Sequence, residues 1–466
     1  MKGSTGEIIF EIHGKDRRDK PLPAYFLSLT VENVRCFGLK QTLDLANDEG
    51  QPAQWTIILG DNGVGKTTLL QSLVAITPLE ELFFDKDGEP EIIVSPRCDN
   101  DLWLGQMWNP MRHGAENNSF MISASYYTRA SLEKGRGGKR VDDFHFRGYG
   151  KASHPIASCL EQSELPAFPC FGYGASRRLG AGSLKDTAAD NAITISFSES
   201  LFSEDVVLVN AEEWLLQADY VASKPSAIQQ QAKKRRDQIK DILIKLLPDV
   251  EKIRFAQFSE TQMKLGIEVQ TPYGWVAMKD LSLGYKTLIA WMVDFASRLF
   301  DLYPDSPNPL AEPAVVLVDE IDLHLHPKWQ RSLMGYLSEL FPNTQFIATA
   351  HSPLVVQAAV DANIVVLRRE GDHVIIDNDI EAIRGWRIDQ ILTSDLFGLE
   401  SARPPQLDGL MAERKKILSK GKLTKRDRKK LQELEEKIGP LPAGETLEDS
   451  AAMDIIRRAA ERLKQQ

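Results

Sequence analysis

Cysteine is scarce in this sequence. Four occur in 466 residues, at Cys36, Cys98, Cys159 and Cys170, and no two form a CxxC pair. A zinc knuckle needs ligands paired a few residues apart, so the spacing argues against one. Buried free thiols in a reducing compartment are the better account. No apolar run approaches the ~18 residues of a membrane helix. The opening MKGSTGEIIFEIHGKDRRDK lacks the apolar core of a signal peptide. A cytosolic (cytoplasmic) chain with no membrane partner is the expectation. Excess positive charge is missing too: 56 Lys and Arg face 66 Asp and Glu, a net charge of −10. That disfavours coating nucleic acid through bulk charge, while a local basic patch leaves a nucleic-acid contact open. There is no internal repeat and no long heptad array. What remains is 42% hydrophobic and 26% charged, ordinary for a folded globular chain. Its length suits roughly two to four domains, or one large domain with insertions.

Residues 24–59 alternate as strands do: YFLSLTVENV, a turn at 35–38, LKQTLDL, then the apolar run WTIIL. After 60–68 the segment LLQSLVAI has helical spacing. Between 78 and 169 periodicity is poor, and with its GRGGKR tract at 135–140 the stretch reads as an insertion with a mobile loop near 133–155. PAFPCFGYGASRRL (166–179) reads as a buried strand running into a loop. Residues 211–247 are helical by pattern, inside a helical lobe at 200–260. KKRR at 233–236 lies on that helix, either as a solvated face or as a nucleic-acid contact. KLGIEVQTPYGWVAM (264–278) and IVVLRREGDHVII (364–376) read as hairpins, and AVVLVDE and TQFIATAHS as core strands. From 404 the chain changes character. Residues 411–440 hold eleven Lys/Arg against five Asp/Glu, and an amphipathic helix from 447 shows the stripe Ile455, Ile456, Ala459 and Leu463. The expected organisation is one domain over 24–400 and a helical accessory segment over 404–466.

The strongest local signal is Gly60-Asp61-Asn62-Gly63-Val64-Gly65-Lys66-Thr67, which fits G-x-x-x-x-G-K-[ST] between a strand and a helix. In such a loop glycines let backbone amides wrap phosphate oxygens, and the helix N-terminus adds partial positive charge. Lys66 is then expected to reach the β- and γ-phosphates of ATP, and the Thr67 hydroxyl to ligate Mg²⁺. Gly60, Asn62, Gly63, Gly65 and Thr68 complete the expected ATP contacts. The run VVLV at 315–318 ends in Asp319 and Glu320, as a central parallel strand does where it meets phosphates. Asp319 is expected to share the Mg²⁺, and Glu320 to polarise the attacking water. Leu281-Ser282-Leu283-Gly284-Tyr285-Lys286 opens a helix, where Ser282 is either a plain N-cap or part of an anion site. His351 follows PNTQFIATA, 32 residues after Asp319, and reads as a γ-phosphate contact.

P-loop, LSxGY, hydrophobic-Asp-Glu and strand-His, in that order over 24–376, resemble the ATPase heads of the ABC superfamily, in the branch of the SMC, RecF and OLD ATPases. NVRCF at 33–37, YGASR at 173–177, DEIDLHLHPKWQ at 319–330 and DQILTSDLFGL at 389–399 are similar, more narrowly, to the ATPases of Septu anti-phage systems and their retron-associated relatives. The resemblance implies an α/β fold of ABC/SMC type: a mixed-sheet P-loop core, an antiparallel β subdomain and a helical lobe, here with a C-terminal helical tail. It implies Mg²⁺-dependent ATP hydrolysis in a head-to-tail dimer of the chain with itself, on its own or built into higher oligomers. In that dimer Ser282 and Gly284 contact the γ-phosphate held by the other subunit, His351 joins Glu320 in catalysis, and Arg35 lies near the nucleotide. Implied partners are an HNH-type nuclease encoded beside the ATPase and, in a retron, a reverse transcriptase with its multicopy single-stranded DNA. One departure stands out: no glutamine follows FGYGAS, and Ser176 or Arg177 occupies the place of the Q-loop residue. His324 and His326 belong, by this resemblance, to the interface loop after Asp-Glu rather than to a metal pair.

Other functions compete. A RecF/SMC-like DNA-repair ATPase that clamps DNA is the main alternative, but only 104 residues separate Arg177 from the LSxGY segment, too few for a long coiled-coil arm. An OLD-type nuclease needs a TOPRIM domain of ~100 residues, whereas the tail is Pro-interrupted and helical, and Asp377-Asn378-Asp379 reads as a polar strand end. A transporter ATPase fits poorly with the 78–169 stretch and the DLHLHP loop.

Overall fold

Apolar runs without polar alternation must be covered on both faces, and four of them are consecutive neighbours in one sheet. The computed structural model describes residues 24–84, 90–96, 108–112, 119–128, 139–149, 168–179, 197–256, 266–380, 385–394, 396–399, 404–420 and 423–439. Along the chain run β1 (Ala24–Glu32), β2 (Gln41–Asp44), β3 (Trp55–Gly60), α1 (Lys66–Ile76), β4 (Pro78–Phe84), β5 (Pro90–Pro96), β6 (Ser119–Thr128), β7 (Lys139–Tyr149), β8 (Cys170–Tyr173), β9 (Arg178–Leu179) and β10 (Val207–Leu208). A helical stretch follows. It comprises α2 (Ala211–Ser223) and α3 (Gln229–Leu246), then β11 (Lys252–Phe255), β12 (Ile267–Thr271), β13 (Gly274–Ala277) and α4 (Leu283–Leu302). Next come β14 (Ala314–Val318), α5 (Pro327–Leu340), β15 (Thr344–Thr349), α6 (Pro353–Ala358), β16 (Asn363–Glu370) and β17 (His373–Asp377). Last are α7 (Ile388–Leu392), α8 (Pro405–Leu418) and α9 (Lys425–Ile438).

The central sheet has the order β17-β16-β3-β15-β14-β8, parallel except for the β16–β17 hairpin. β8, β14 and β15 are buried end to end, and β3 in all but its last residue. Register places Val318 beside Ala348 and Tyr173, and Thr349 beside Ile58. The chain therefore leaves β3, β14 and β15 at one edge, which gathers segments distant in sequence. α1 is buried on every side from Thr68 to Ile76. It has no solvated stripe because its apolar residues share a core with both the central sheet and a second one.

That second sheet is antiparallel, in the order β2-β1-β6-β7. The stretch expected to be an insertion thus contributes two of its four strands. β7 also departs from the expected mobile loop at 133–155: residues 139–149 pair with β6 from Thr128↔Lys139 to Ser119↔Tyr149. The ladder is supplied from outside the segment, so its glycine-basic flank did not reveal it; the rest of 133–155 lies outside the described residues. Among the described residues four side-chain carboxamides join the two sheets, one of them Asn363 on β16, which donates to Asp44 C=O at 2.6 Å. Gln345, buried on β15, accepts from Phe26 N–H at 2.9 Å and donates to Phe26 C=O at 2.8 Å. Gln41 does the same to Val374 C=O and Ile376 N–H on β17, both at 2.6 Å. Asn378 accepts from Asp44 N–H and donates to Thr42 C=O, which gives the Asp377-Asn378-Asp379 strand end a structural use.

The helical pattern over 211–247 is broken in two. α2 ends at Ser223 and α3 starts at Gln229, because Pro225 has no N–H to donate and clashes with a continuing helix. The KKRR run is not simply solvated. Lys234 donates to Pro307 C=O, Arg235 to Phe300 C=O, and Arg236 pairs with Asp219 and Asp237. β11, β12 and β13 form a small antiparallel sheet whose β12–β13 turn is Pro272-Tyr273.

The chain divides into two compact units, 1–388 and 389–466. In the second, α8 and α9 enclose a small core of Ile417, Leu431 and Leu434. α9 starts with a capping box in which Thr424 and Asp427 satisfy each other's amides. The expected terminal helix from 447 lies outside the described residues. Among the described residues no helix is long and apolar enough to cross a membrane.

Candidate nucleotide site

The phosphate loop is built by backbone geometry before any side chain acts. Gly63 and Gly65 have φ of +79° and +88°, in the left-handed region that glycine enters without penalty. At Gly65 a Cβ would also lie 2.3 Å from Cys36 Sγ, so the loop rests directly on the segment after β1. Lys66 opens α1, and its ammonium donates to the carbonyls of Gly60 and Asp61 at 2.8 Å each. Burial lowers the Lys66 pKa, opposed by the charges of Asp319, Glu320, Asp61 and Asp322.

Across the sheet edge, Thr67 donates its hydroxyl to Asp319 Oδ2 at 2.7 Å. Thr349, at the end of β15, donates to Asp319 Oδ1 at 2.6 Å and accepts from Glu320 N–H at 2.7 Å. Asp319 is thereby fixed between the strand on one side and the helix on the other. Glu320 follows with φ +48°, a left-handed conformation that costs a non-glycine residue roughly 1–2 kcal/mol. A cleft of about 310 Å³ opens here, lined by Arg35, Cys36, Asn62, Gly63, Gly65, Lys66, Thr67, Thr68, Asp319 and Glu320. A magnesium nucleotide fits this donor set. A hydroxyl and a carboxylate oxygen in contact are the hard oxygen ligands Mg²⁺ takes, and loop amides with a lysine suit phosphates.

Not every expected residue lines that cleft. Arg35 does, donating to Gln71 Oε1 at 3.3 Å and to Asn109 C=O at 3.1 Å, with its guanidinium 5.8 Å from the Trp108 ring. Burial lowers its pKa. Gly60 contributes its carbonyl to Lys66. Ser282 is the N-cap of α4, but its side chain makes no capping bond, and both it and Leu283 are exposed, Leu283 at 60%. Gly284 is buried against the loop that follows Glu320: a Cβ there would lie 2.4 Å from His324 C=O. His351 stands beyond the end of β15, where its N–H donates to the Asp322 carboxylate at 3.1 Å and its Nε2 is buried without a hydrogen-bond partner. His326 caps α5 by accepting from Lys328 N–H, and no group of three or more metal-ligating side chains occurs among the described residues.

Comparison with known proteins then places the chain. Residues 173–357 match the family described as "AAA domain, putative AbiEii toxin, Type IV TA system", and residues 28–77 match a family described as "AAA domain". The Septu protein PtuA of Bacillus mycoides (strain KBAB4) is 25% identical over 434 residues, which cover 91% of this chain and 53% of that one. The Retron Vc95 probable ATPase of Vibrio cholerae serotype O1 biovar El Tor is 38% identical over 132 residues, 28% of this chain and 24% of that one. This chain is similar to the Septu protein PtuA and to a retron probable ATPase. It spans about half the length of the Septu relative and about a quarter of the retron one. An SMC head bound to the C-winged helix domain of ScpA aligns over 76% of this chain and 96% of its own, at 14% identity and a TM-score of 0.40.

The structure also gives roles that motif reading did not assign, to Cys36, to Thr349 and to Arg177 in the place of the Q-loop residue. Cys36, expected as a plain buried thiol, lines the cleft under Gly65, and burial raises its pKa. Thr349 was hidden inside an apolar strand. Arg177, 2% exposed, donates from Nη1 to Asp319 C=O at 2.9 Å and from Nη2 to Glu320 C=O at 2.7 Å. It is thus engaged behind the Asp-Glu pair rather than in the cleft. Ser176 Oγ is buried without a partner.

Proposed function

We propose that this chain binds and hydrolyses ATP as a subunit of a bacterial anti-phage defence complex of Septu or retron type, and that nucleotide-dependent head-to-tail dimerisation regulates a partner HNH nuclease. The observation that carries the ATPase reading is the Thr67–Asp319 contact, which joins the phosphate loop to the Asp-Glu pair. In this reading Lys66 and the amides of 62–68 hold the β- and γ-phosphates, and Thr67 with Asp319 holds the ion. Mg²⁺, when bound, neutralises charge on the β- and γ-phosphate oxygens. Glu320 orients the attacking water and takes its proton. Arg35 flanks the nucleotide from the segment after β1.

The dimer reading is supported by the free hydroxyl of Ser282 and the exposed Leu283, which leave the start of α4 open to a second subunit. His351, with its unpartnered Nε2, is then the group that meets the γ-phosphate region once two heads close. In a retron setting a reverse transcriptase and its multicopy single-stranded DNA join the complex. The DNA-clamp alternative draws less support, because three of the four basic side chains in the run on α3 already bond to partners in the same chain.

Glu320→Gln tests the reading. It should bind Mg·ATP as the natural chain does, hydrolyse it far more slowly, and sediment as a dimer only with ATP. Equal hydrolysis in both proteins would remove Glu320 from the chemistry. A Glu320→Gln chain that stays monomeric with saturating ATP, alone and with the nuclease, would remove the dimer.

A further inference from the structure

Arg177 has an unusual position for an arginine. It is 2% exposed, lies four residues beyond β8, the edge strand of the central sheet, and has φ +32°. Its Nε finds no hydrogen-bond partner. A buried guanidinium with an unsatisfied donor contributes little to stability, and an apolar side chain of similar volume would often do better. The two remaining arms of its fork grip consecutive carbonyls, those of Asp319 and Glu320. The residue they grip is itself strained, since Glu320 also sits at positive φ. The peptide before Glu320 is held from the other side, because its N–H donates to Thr349 Oγ1. Two backbone bonds add to these, Ile321 N–H to Thr349 C=O at 2.9 Å and Leu323 N–H to Glu320 C=O at 3.0 Å. Of the five bonds on the two peptide units of Glu320, Arg177 supplies the two made by a charged side chain.

We infer that Arg177 is a positioning residue that clamps the strained Asp319-Glu320 turn and so aims the Glu320 carboxylate at the water that attacks ATP. The inference rests on the ATPase reading above. A lysine replaces the planar fork, whose two arms each meet one carbonyl, by a single point charge on a flexible stem, and so fixes the pair less rigidly. The Asp319 side chain is held independently by Thr67 and Thr349, so loss of the clamp leaves Mg·ATP binding intact and misdirects Glu320 alone.

The test uses the full chain as Arg177→Lys and Arg177→Ala. Hydrogen–deuterium exchange without nucleotide reads the clamp itself. In Arg177→Lys, amides of 317–323 should exchange roughly ten- to a hundredfold faster, the loss expected for one charge-assisted hydrogen bond, while 55–76 is unchanged. With Mg·ATP, kcat should fall by a similar factor while affinity stays within roughly threefold. Guanidinium ion added to Arg177→Ala should restore part of kcat and part of the protection at 317–323. Natural exchange at 317–323 together with natural kcat in Arg177→Lys overturns the inference. Faster exchange throughout 1–388 also overturns it, since that would make Arg177 a packing residue. A natural chain that hydrolyses no ATP sinks the ATPase reading instead, and the exchange data still decide the clamp.

Discussion

Replacing Gly284 by alanine sets two opposed effects against each other. Gly284 is the second residue of α4 and has no positive φ, so alanine should favour the helix by up to roughly 0.5–1 kcal/mol. Against that, the new methyl would lie 2.4 Å from His324 C=O and 3.4 Å from the same carbonyl carbon. The obstacle is backbone, not a side chain that can swing away. His324 has φ +63°, and its loop is tied by Leu325 N–H to Asp322 C=O and by Gln330 to the carbonyls of Asp322 and Leu325. Overpacking against such a loop costs roughly 1–3 kcal/mol. The clash wins, and a net destabilisation of about 1–2 kcal/mol is expected, a few degrees in melting temperature. Thermal unfolding at low protein concentration without nucleotide measures it, where no second subunit contributes. Ser282→Ala is the control: the hydroxyl is exposed and caps nothing, so its change should stay within about 0.5 kcal/mol. An unaltered melt for Gly284→Ala, or an equal loss for Ser282→Ala, would refute the argument that the glycine first serves its own protomer.

Lys66→Ala should weaken ATP binding roughly ten- to a hundredfold, the scale of a lost charge-assisted contact; calorimetric titration reads it, and equal affinity would contradict the phosphate-loop assignment. Thr349→Val keeps the shape of the side chain but frees Asp319 Oδ1 and Glu320 N–H. It should cost roughly 1–3 kcal/mol and raise the Mg²⁺ concentration needed for half-maximal hydrolysis, while an unchanged Mg²⁺ requirement would count against Asp319 as the ion's ligand. Burial raises Cys36 above the ordinary thiol value of 9.0, so the fold holds this proton more tightly than the unfolded chain does. Its contribution to stability is full below pH 9.0 and is lost as pH climbs through the raised folded value. Iodoacetamide should accordingly label the half-buried Cys36 more slowly than a free-thiol peptide at pH 8, with further protection by Mg·ATP; mass-spectrometric labelling at the peptide's rate would contradict the raised pKa.

What could be read from the string depended on whether the information was local. Gly60 to Thr67 and the run into Asp319-Glu320 are short motifs between recognisable elements, and the apolar strands around them have no alternation to confuse. Thr349 and Arg177 matter through register: only when β15 lies between β3 and β14 does a threonine at its end face Asp319. Nothing around Arg177 in sequence tells that its fork reaches residues 142 and 143 positions away. β7 escaped for the same reason, since its hydrogen bonds come from β6. The break between α2 and α3 was signalled by Pro225, but the three-and-four spacing on either side masked it. The basic run on α3 looked solvated because its acceptors, the carbonyls of Phe300 and Pro307, are backbone atoms that composition does not display.

Gln345, Gln41 and Asn378 carry a consequence for how the molecule responds to its surroundings. A carboxamide presents one donor and one acceptor in the geometry of a peptide bond, and it does not titrate. The bridges made by Gln345, Gln41 and Asn378 between the antiparallel sheet and the central sheet therefore carry no titratable group, unlike the Arg112–Asp372 ion pair at the β16–β17 turn. A glutamate at 345 would make the joint into a valve: ionised, it could no longer donate to Phe26 C=O and would sit as an unmatched charge in the core. Amides at these positions keep the joint free of any charge that would have to be matched in the core.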